Sequence, residues 1–372
     1  MPSDSTTQHI ESRSAWSAFM EGLTRPSLPA ACLTIVLASA MLWSATWIVT
    51  PTFFADHAGY FAPRPQENYT FTTAKAILAG RAPRDQLAVT IMGASAHREG
   101  ISSDAKMTQL LHQGSGLPIR FNNLTASALS QHEIVALCDQ LGEGYQGVVV
   151  IGCSIFRMAR DPDERVEWIL RPRVGVTSAW LDDEASRMNV ERPAPTGWYF
   201  IDQAGFLGVR LPYLFRNLVR GPIKPRTHSY IDMDAIDEQQ WDERVEAVRA
   251  LFRSPDRPDP GDIEAMWLRL RDRLRSRGPV EIVLLDAPTN PRFIEQAVGT
   301  DVFAAYQSRM ASFADEHGLH YWNLNEESRL EPGDFFDWVH LSSTDAQERF
   351  TKALANRLNT LIHSRFPGGY RP

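Results

Sequence analysis

The sequence predicts an α/β protein: a three-layer α/β/α domain with a five-stranded parallel sheet, preceded by one N-terminal transmembrane helix. Two observations lead to this prediction. An almost wholly apolar segment without charge occupies residues 28–49. After residue 85, short apolar segments alternate with longer amphipathic ones, which is the pattern of strands and covering helices in a parallel sheet. The 372 residues allow one large domain or two ordinary ones.

The apolar segment "LPAACLTIVLASAMLWSATWIV" lies in a stretch from Pro26 to Ala55 that has no charged residue. It exceeds the roughly 20 residues that a helix needs to cross the hydrocarbon layer. Trp43 and Trp47 lie toward its far end, where indole rings favour the membrane interface. The small residues "ASA" at 38–40 also fit a signal-peptide cleavage site. We favour an uncleaved anchor, because the apolar run continues past this site and a long polar segment precedes it.

Arg13 and Arg25 precede the apolar segment, as expected when the N-terminus stays in the cytoplasm. Only four of the 38 basic residues are lysines, a bias typical of GC-rich bacterial genomes. We therefore expect a single-pass protein of the bacterial inner (cytoplasmic) membrane with its main domain in the periplasm, and a cleaved signal would export the same domain. The expected divisions are a cytoplasmic tail (1–27), a transmembrane anchor (28–50), a lead-in (51–84) and an α/β domain (85–364) with an insertion or cap over about 155–260.

Composition excludes some functions. The formal net charge of -7 argues against a general nucleic-acid binder, whose surface would be basic.

Cys138 and Cys153 stand outside any metal-ligand or redox spacing, so we expect buried free thiols, with a disulfide between them as the alternative. We expect no metal site and no cofactor.

Five apolar segments are predicted as strands, and the third, "GVVVIG", is hydrophobic enough to be buried on both faces. Thr344 and Gln347 have the spacing of a capping box at the start of the last helix. The predicted strands are 87–92, 118–124, 147–152, 280–285 and 320–324. The predicted helices are 72–79, 103–113, 130–141, 179–188, 211–219, 238–253, 262–276, 292–317 and 345–364.

Functional groups in a parallel sheet collect beyond the carboxyl ends of its strands. "GASAHREG" follows the first strand, and a serine after such a small-residue turn can be an exposed nucleophile, although Ser95 also suits a helix N-cap. "DFFDWVH" follows the last strand, and one turn of helix would bring Asp337 and His340 together. A carboxylate so placed can orient an imidazole that accepts a serine proton. A surface pair or a helix cap is the alternative for these two residues.

The order of these motifs resembles the SGNH/GDSL hydrolase superfamily. More narrowly, the anchor and the motifs "GASAHREGI", "VVVIGCSIFRM", "DAPTNP" and "DFFDWVHLS" are similar to extracytoplasmic DltD-like and AlgJ/AlgX-like proteins, which act in acyl modification of cell-envelope polymers. The resemblance covers roughly residues 85–155 and 280–362. It implies Ser95 as nucleophile, His340 as general base and Asp337 as its orienting carboxylate.

The oxyanion hole departs from the pattern of that superfamily. The resemblance implies a backbone donor after the nucleophile, here Ala96, together with a Gly and an Asn from the next two blocks. Thr125 in "FNNLTASAL" and Ser154 in "IGCSIF" stand at those two positions. A backbone N–H at Thr125 and the hydroxyl of Ser154 can still donate, and the envelope-modifying branch tends to lack the Asn.

Four further side chains are candidates for substrate contact. His97 and Arg98 directly follow the nucleophile turn, and a surface role is their alternative. Asn290 or Thr289 in "DAPTNP" lies where the rim of the site is expected, within reach of a sugar hydroxyl.

These expectations combine into an SGNH-type serine esterase or O-acyltransferase that acts on acyl esters, acetyl-like in size, of a cell-envelope polysaccharide. The resemblance implies a membrane-bound O-acyltransferase as the partner that supplies acyl groups. The alternative is a catalytically degenerate scaffold that binds polysaccharide or organises an acylation complex.

Overall fold

The computed structural model describes residues 28–83, 85–158, 162–226, 228–253 and 260–368. The predicted cytoplasmic tail, residues 1–27, lies outside this range.

Five parallel strands form one sheet in the order β2-β1-β3-β4-β5. This confirms the predicted fold class. The last strand ends two residues earlier than predicted, because Asn323 turns its side chain to the carboxylate of Asp286. The strands are Leu87–Met92 (β1), Ile119–Asn123 (β2), Gly147–Cys153 (β3), Val280–Asp286 (β4) and His320–Trp322 (β5).

Helices cover the sheet on both sides and fill the connection between β3 and β4. In chain order they are Leu28–Ile48 (α1), Pro51–Asp56 (α2), Ala58–Phe61 (α3), Asn68–Arg81 (α4), Ser95–Gly100 (α5), Asp104–Ser115 (α6), Gln131–Asp139 (α7), Ile155–Met158 (α8), Pro162–Leu170 (α9), Ala179–Arg187 (α10), Tyr199–Asp202 (α11), Ala204–Gly208 (α12), Leu211–Arg220 (α13), Glu238–Arg253 (α14), Pro260–Arg277 (α15), Pro291–Phe293 (α16), Thr300–Glu316 (α17) and Thr344–Arg365 (α18).

The two faces of β3 show why the domain has three layers. Val149 and Ile151 belong to an apolar core with residues of α4, α7 and α15. Val148 and Val150 belong to a second core with residues of α6 and α18. Successive side chains of a strand point to opposite faces, so an unbroken apolar strand requires a covered sheet on each side.

Two predicted details of the helices are wrong. The helix expected over 292–317 is interrupted by a π-helical turn at Ile294–Val298, and Gly299 follows with φ of 92°. That backbone angle favours glycine and breaks the helical path. The capping residue of α18 is Ser343, whose side chain accepts from the N–H of Ala346, while Gln347 donates to the carbonyl of Glu99 instead.

Cys138 and Cys153 are buried free thiols, as expected. The helix α1 is long and apolar enough to cross a membrane, and it is the one such helix among the described residues. Its end packs on the insertion, since the ring of Trp47 lies 4.8 Å from that of Trp198.

Candidate active site

The proposed nucleophile lies at a sharp turn from strand to helix. β1 ends at Met92, and Ser95 is the first residue of α5, whose N-cap is Ala94. Ser95 is therefore not the capping residue that the alternative interpretation expected. The N–H groups of the first helical turn have no acceptor within their own helix, and those of Ser95 and Ala96 belong to this turn.

His340 connects the serine to a carboxylate. Its Nε2 lies 2.8 Å from Ser95 Oγ, and its Nδ1 lies 2.8 Å from Asp337 Oδ2. The imidazole and the carboxylate are largely buried, with side-chain exposures of 12% and 13%. The structure thus brings together the three side chains that the sequence proposes as a triad.

The turn that holds Asp337 and His340 is not the helical turn that we expected. A 3-10 turn ends at Asp334, and the chain then folds into a tight loop closed by a bridge between Phe335 and Leu341. Asp337 Oδ1 accepts the N–H groups of Val339 and His340, each at 2.9 Å. The spacing of three residues produces the contact because the aspartate side chain closes its own turn.

The carboxyl group of Asp337 stays ionised in this setting. Burial by itself would raise its pKa, but hydrogen bonds from the His340 ring and from two backbone N–H groups outweigh burial and hold the pKa below its ordinary value. An ionised carboxylate at Nδ1 fixes the tautomer in which Nε2 is free to accept a proton.

A tyrosine from the insertion covers the imidazole. The rings of Tyr230 and His340 stack with centroids 4.1 Å apart and an angle of 24° between their planes, and Tyr230 also contacts Phe336. Burial raises the pKa of Tyr230, so its hydroxyl is neutral at physiological pH. Tyr230 is not predicted from the sequence, because it lies in an insertion that lacks regular periodicity.

A buried ion pair positions that tyrosine. Arg98 Nη2 lies 2.8 Å from Glu99 Oε1, and the two side chains are 4% and 0% exposed. The N–H of Ser229 donates to both oxygens of Glu99, at 3.0 and 3.2 Å. Ser229, the neighbour of Tyr230 in the chain, is thereby hydrogen-bonded to α5, the helix that begins with Ser95. Arg98 is an internal side chain, and its expected contact with substrate is wrong.

Of the expected oxyanion donors Thr125 and Ser154, only Ser154 has a hydrogen-bond donor that is available. Thr125 gives its N–H to Asn123 Oδ1 at 3.2 Å and its hydroxyl to the same atom at 2.6 Å. Its predicted contribution is therefore wrong, because both donors already have an acceptor. Ser154 follows β3, next to β1 in the sheet, and its Oγ accepts the N–H of Arg157 at 3.3 Å. Accepting that bond leaves the Ser154 hydroxyl proton available for an oxyanion.

Asn290 holds the loop that carries Asp337 and His340. Its Oδ1 accepts the N–H of Arg292 as the N-cap of α16, its own N–H donates to the carbonyl of Trp338, and its Nδ2 lies 3.3 Å from the carbonyl oxygen of Asp337. The side chain is 3% exposed. The predicted contact with a sugar hydroxyl is therefore wrong for Asn290, and Thr289, 1% exposed, is equally enclosed.

His97 lies inside the domain, which overturns its expected substrate contact. Its Nε2 donates to the carbonyl of Leu285 at 3.0 Å, and burial lowers its pKa to about 4. A Cβ added to Gly93 or Gly152 would lie 2.8 Å or less from the imidazole ring. These two glycines make room for a neutral histidine directly beneath the nucleophile turn.

A second buried polar group lies at the end of β4. The carboxyl of Asp286 is 2% exposed and receives hydrogen bonds from Tyr306, Tyr321 and Asn323. Burial outweighs these bonds and raises its pKa to about 7. The Ala287 N–H bonds to the carbonyl of Cys153, so this group is joined to the strand end that leads to Ser154.

A scan against protein-family models gives no match for this chain. A search of the curated proteins gives no match either.

Proposed function

We propose that the protein is a serine esterase or O-acyltransferase of the SGNH type, whose domain lies outside the cytoplasm and acts on acyl esters of a cell-envelope polysaccharide. The observation that carries the proposal is the continuous chain from Ser95 Oγ through both nitrogens of His340 to Asp337, with 2.8 Å at each contact. Such a chain is the arrangement that activates a serine hydroxyl.

The reaction takes two steps. Ser95 Oγ attacks the carbonyl carbon of an acyl ester while its proton moves to His340 Nε2, and Asp337 stabilises the imidazolium. The tetrahedral oxyanion receives hydrogen bonds from the N–H of Ala96 and the hydroxyl of Ser154. The departing alcohol takes the proton from His340, which leaves an acyl-serine. A polysaccharide hydroxyl or water then attacks that ester by the reverse proton path.

The ring of Tyr230 supports the same cycle. It shields one face of His340 from water, and its π-face favours the positive charge that the imidazole carries between the two proton transfers. Asn290 and the Glu99–Arg98 pair keep the loop and the tyrosine at their distances from Ser95. A membrane-bound O-acyltransferase is the proposed source of the acyl group, because α1 would keep the domain beside such a partner.

Labelling with a fluorophosphonate tests the proposal. We expect the full-length protein in detergent to acquire one phosphonyl group at Ser95, and we expect Ser95→Ala to acquire none. Ser343→Ala is the matched control, because it removes a serine that only caps α18. Labelling that is equal in the wild-type protein and Ser95→Ala would contradict the nucleophile assignment.

A catalytically degenerate scaffold is the second candidate. The observation that favours it is the loss of Thr125 as an oxyanion donor, since each missing donor costs on the order of 10²–10³ in turnover. An unlabelled protein that still binds acylated polysaccharide would support the scaffold. Labelling at Ser95 followed by release of small acyl groups from an ester substrate would support the enzyme.

A further inference from the structure

The helix α13 carries three large apolar side chains outward, while Leu211 and Leu214 pack partly against the core. Phe215, Leu218 and Val219 are 66%, 62% and 89% exposed, whereas Asn217 is 1% exposed and Arg210, at the N-cap, is 7% exposed. The helix of a soluble domain normally has the opposite orientation, with its apolar stripe toward the core. A contiguous exposed apolar surface of this kind marks a site of interaction.

Hydrogen bonds fix this orientation. Asn217 Nδ2 donates to the carbonyls of Tyr60 and Ala62 at 3.0 and 2.9 Å. The guanidinium of Arg210 donates to Glu67 at 2.6 Å and to Thr70 at 2.8 Å. Turning the helix over would leave these buried groups without partners, at a cost of about 1–3 kcal/mol for each. The outward direction of the apolar side chains is therefore built into the fold.

The outward side chains belong to elements that adjoin the proposed anchor. α13 packs on α3, which is separated from α1 only by the short helix α2. α11 contacts α1 directly, and Trp198, the N-cap of α11, lies with its ring centroid 4.8 Å from Trp47 and 6.3 Å from Trp43. We define the apolar face by the exposed apolar side chains of α13, which are Phe215, Leu218 and Val219.

The charge along the chain on either side of α13 has one sign. From residue 203 to residue 231 the sequence contains five lysines and arginines and no aspartate or glutamate. Arg220, Lys224 and Arg226 are exposed. An amphipathic segment with basic flanks is the type that lies in the interface of an anionic membrane.

We propose that the apolar face inserts into the outer leaflet of the anionic phospholipid bilayer that α1 crosses. The inference rests on the proposed membrane anchor. Because α1 tethers the domain to the bilayer, the local concentration of lipid at α13 is high, and a modest apolar area suffices for binding. Insertion fixes the orientation of the domain, so the site at Ser95 keeps a constant relation to the membrane surface.

Site-specific fluorescence tests this inference in the full-length protein. Cys32→Ser combined with Val219→Cys leaves one reactive thiol, since Cys138 and Cys153 are buried. The thiol is labelled with nitrobenzoxadiazole, and the protein is reconstituted in vesicles of phosphatidylethanolamine and phosphatidylglycerol. We expect nitroxide groups on the lipid chains to lower its emission by roughly twofold or more, as for a side chain in the acyl boundary.

The matched control carries the probe at Val302→Cys on α17, an exposed valine outside the apolar face, where we expect no quenching. Phe215→Glu with Leu218→Glu should abolish quenching at position 219. Replacing phosphatidylglycerol by phosphatidylcholine should weaken it, and equal quenching in both vesicles would overturn the role of the cations.

A label on the native Cys32 of α1 distinguishes the proposal of a membrane anchor from the proposal that the apolar face inserts into lipid. Quenching at Cys32 without quenching at position 219 would overturn the docking of the apolar face and keep the anchor. If neither position is quenched, the anchor fails and the docking fails with it. If the probe at position 219 is shielded only when other membrane proteins are added, the apolar face binds a protein partner. If it is shielded only when two labelled copies meet, the apolar face binds a second copy. Either result would overturn the lipid assignment.

Discussion

At the scale of single residues, His340 is held on three sides. Asp337 occupies Nδ1, Ser95 occupies Nε2, and Tyr230 covers one face of the ring. A side chain with these three contacts has little freedom to rotate away from the serine. Such preorganisation keeps a general base in reach of its proton throughout a reaction.

The two aspartates of "DFFDWVH" should differ sharply in their effect on activity. Asp337→Asn removes the carboxylate that selects the tautomer of His340, so we expect the rate of fluorophosphonate labelling to fall by about 10³–10⁴. Asp334 instead caps the preceding 3-10 turn and pairs with Arg349 at 2.8 Å. Asp334→Asn should label at nearly the wild-type rate while its melting temperature falls. Equal losses of labelling in both variants would contradict the assigned roles.

Tyr230 should act through its ring and not through its hydroxyl. Tyr230→Phe keeps the stack on His340, and we expect labelling close to that of the wild type. Tyr230→Ala exposes the imidazole and removes a contact worth about 0.5–1.5 kcal/mol, so the labelling rate should fall by roughly two- to tenfold. Stopped-flow measurement of the labelling rate constant distinguishes the variants. A defect of the same size in both would point to the hydroxyl.

At the scale of elements, the sequence predicts what depends on period and strand order. The strands and the positions of Ser95, Asp337 and His340 follow from apolar runs and from the rule that strand ends carry function. The functions assigned to Arg98 and Thr125 were wrong, because each side chain finds a partner within two residues of itself, Glu99 and Asn123, and apolar periodicity does not describe such pairs. Tyr230 reaches the site across a long irregular connection, which a local pattern does not anticipate.

Two buried titratable groups near the strand ends should give opposite pH dependences of stability. Asp286 has its pKa raised to about 7, so the folded state keeps a proton that the unfolded chain releases, and stability is lost as pH rises toward 7. His97 has its pKa lowered to about 4, so its contribution is full above about 6.5 and is lost as pH falls toward 4. Between these limits the two effects oppose each other.

The variant Asp286→Asn should remove the contribution of Asp286 to the pH dependence of stability and leave that of His97. The wild type loses stability as Asp286 releases its proton, whereas asparagine has no proton to release. The free energy of unfolding of the variant minus that of the wild type should therefore increase by on the order of a few kcal/mol between pH 4 and pH 8. Urea unfolding across this range measures the difference. Asp183→Asn is the control, because Asp183 is an exposed partner of Arg273. A difference between variant and wild type that does not change with pH would contradict the raised pKa of Asp286.

At the scale of the whole molecule, the connection between β3 and β4 links the site to the proposed anchor. The same connection supplies Tyr230 to the site, Trp198 to the end of α1 and the apolar face on α13. From the sequence, this segment is predicted only as an insertion or cap. Within it, α13 turns Asn217 inward and Phe215, Leu218 and Val219 outward, and this reversal of the usual helix pattern is visible only in the burial of each side chain.

The proposed anchor α1 should remain part of the mature protein. α1 has 21 residues without charge, and its final part is held by Trp198, so we expect the mature protein to keep residues 1–40 and to resist extraction from membranes by alkaline carbonate. Intact mass of the purified protein decides this directly. A mass that begins at Met41 would show cleavage after the "ASA" segment. Ala38→Leu with Ala40→Leu is the matched control, because it blocks a small-residue cleavage site and leaves the apolar length unchanged. The wild type and this variant should share one uncleaved N-terminus, and a longer product in the variant alone would establish a signal peptide instead of an anchor.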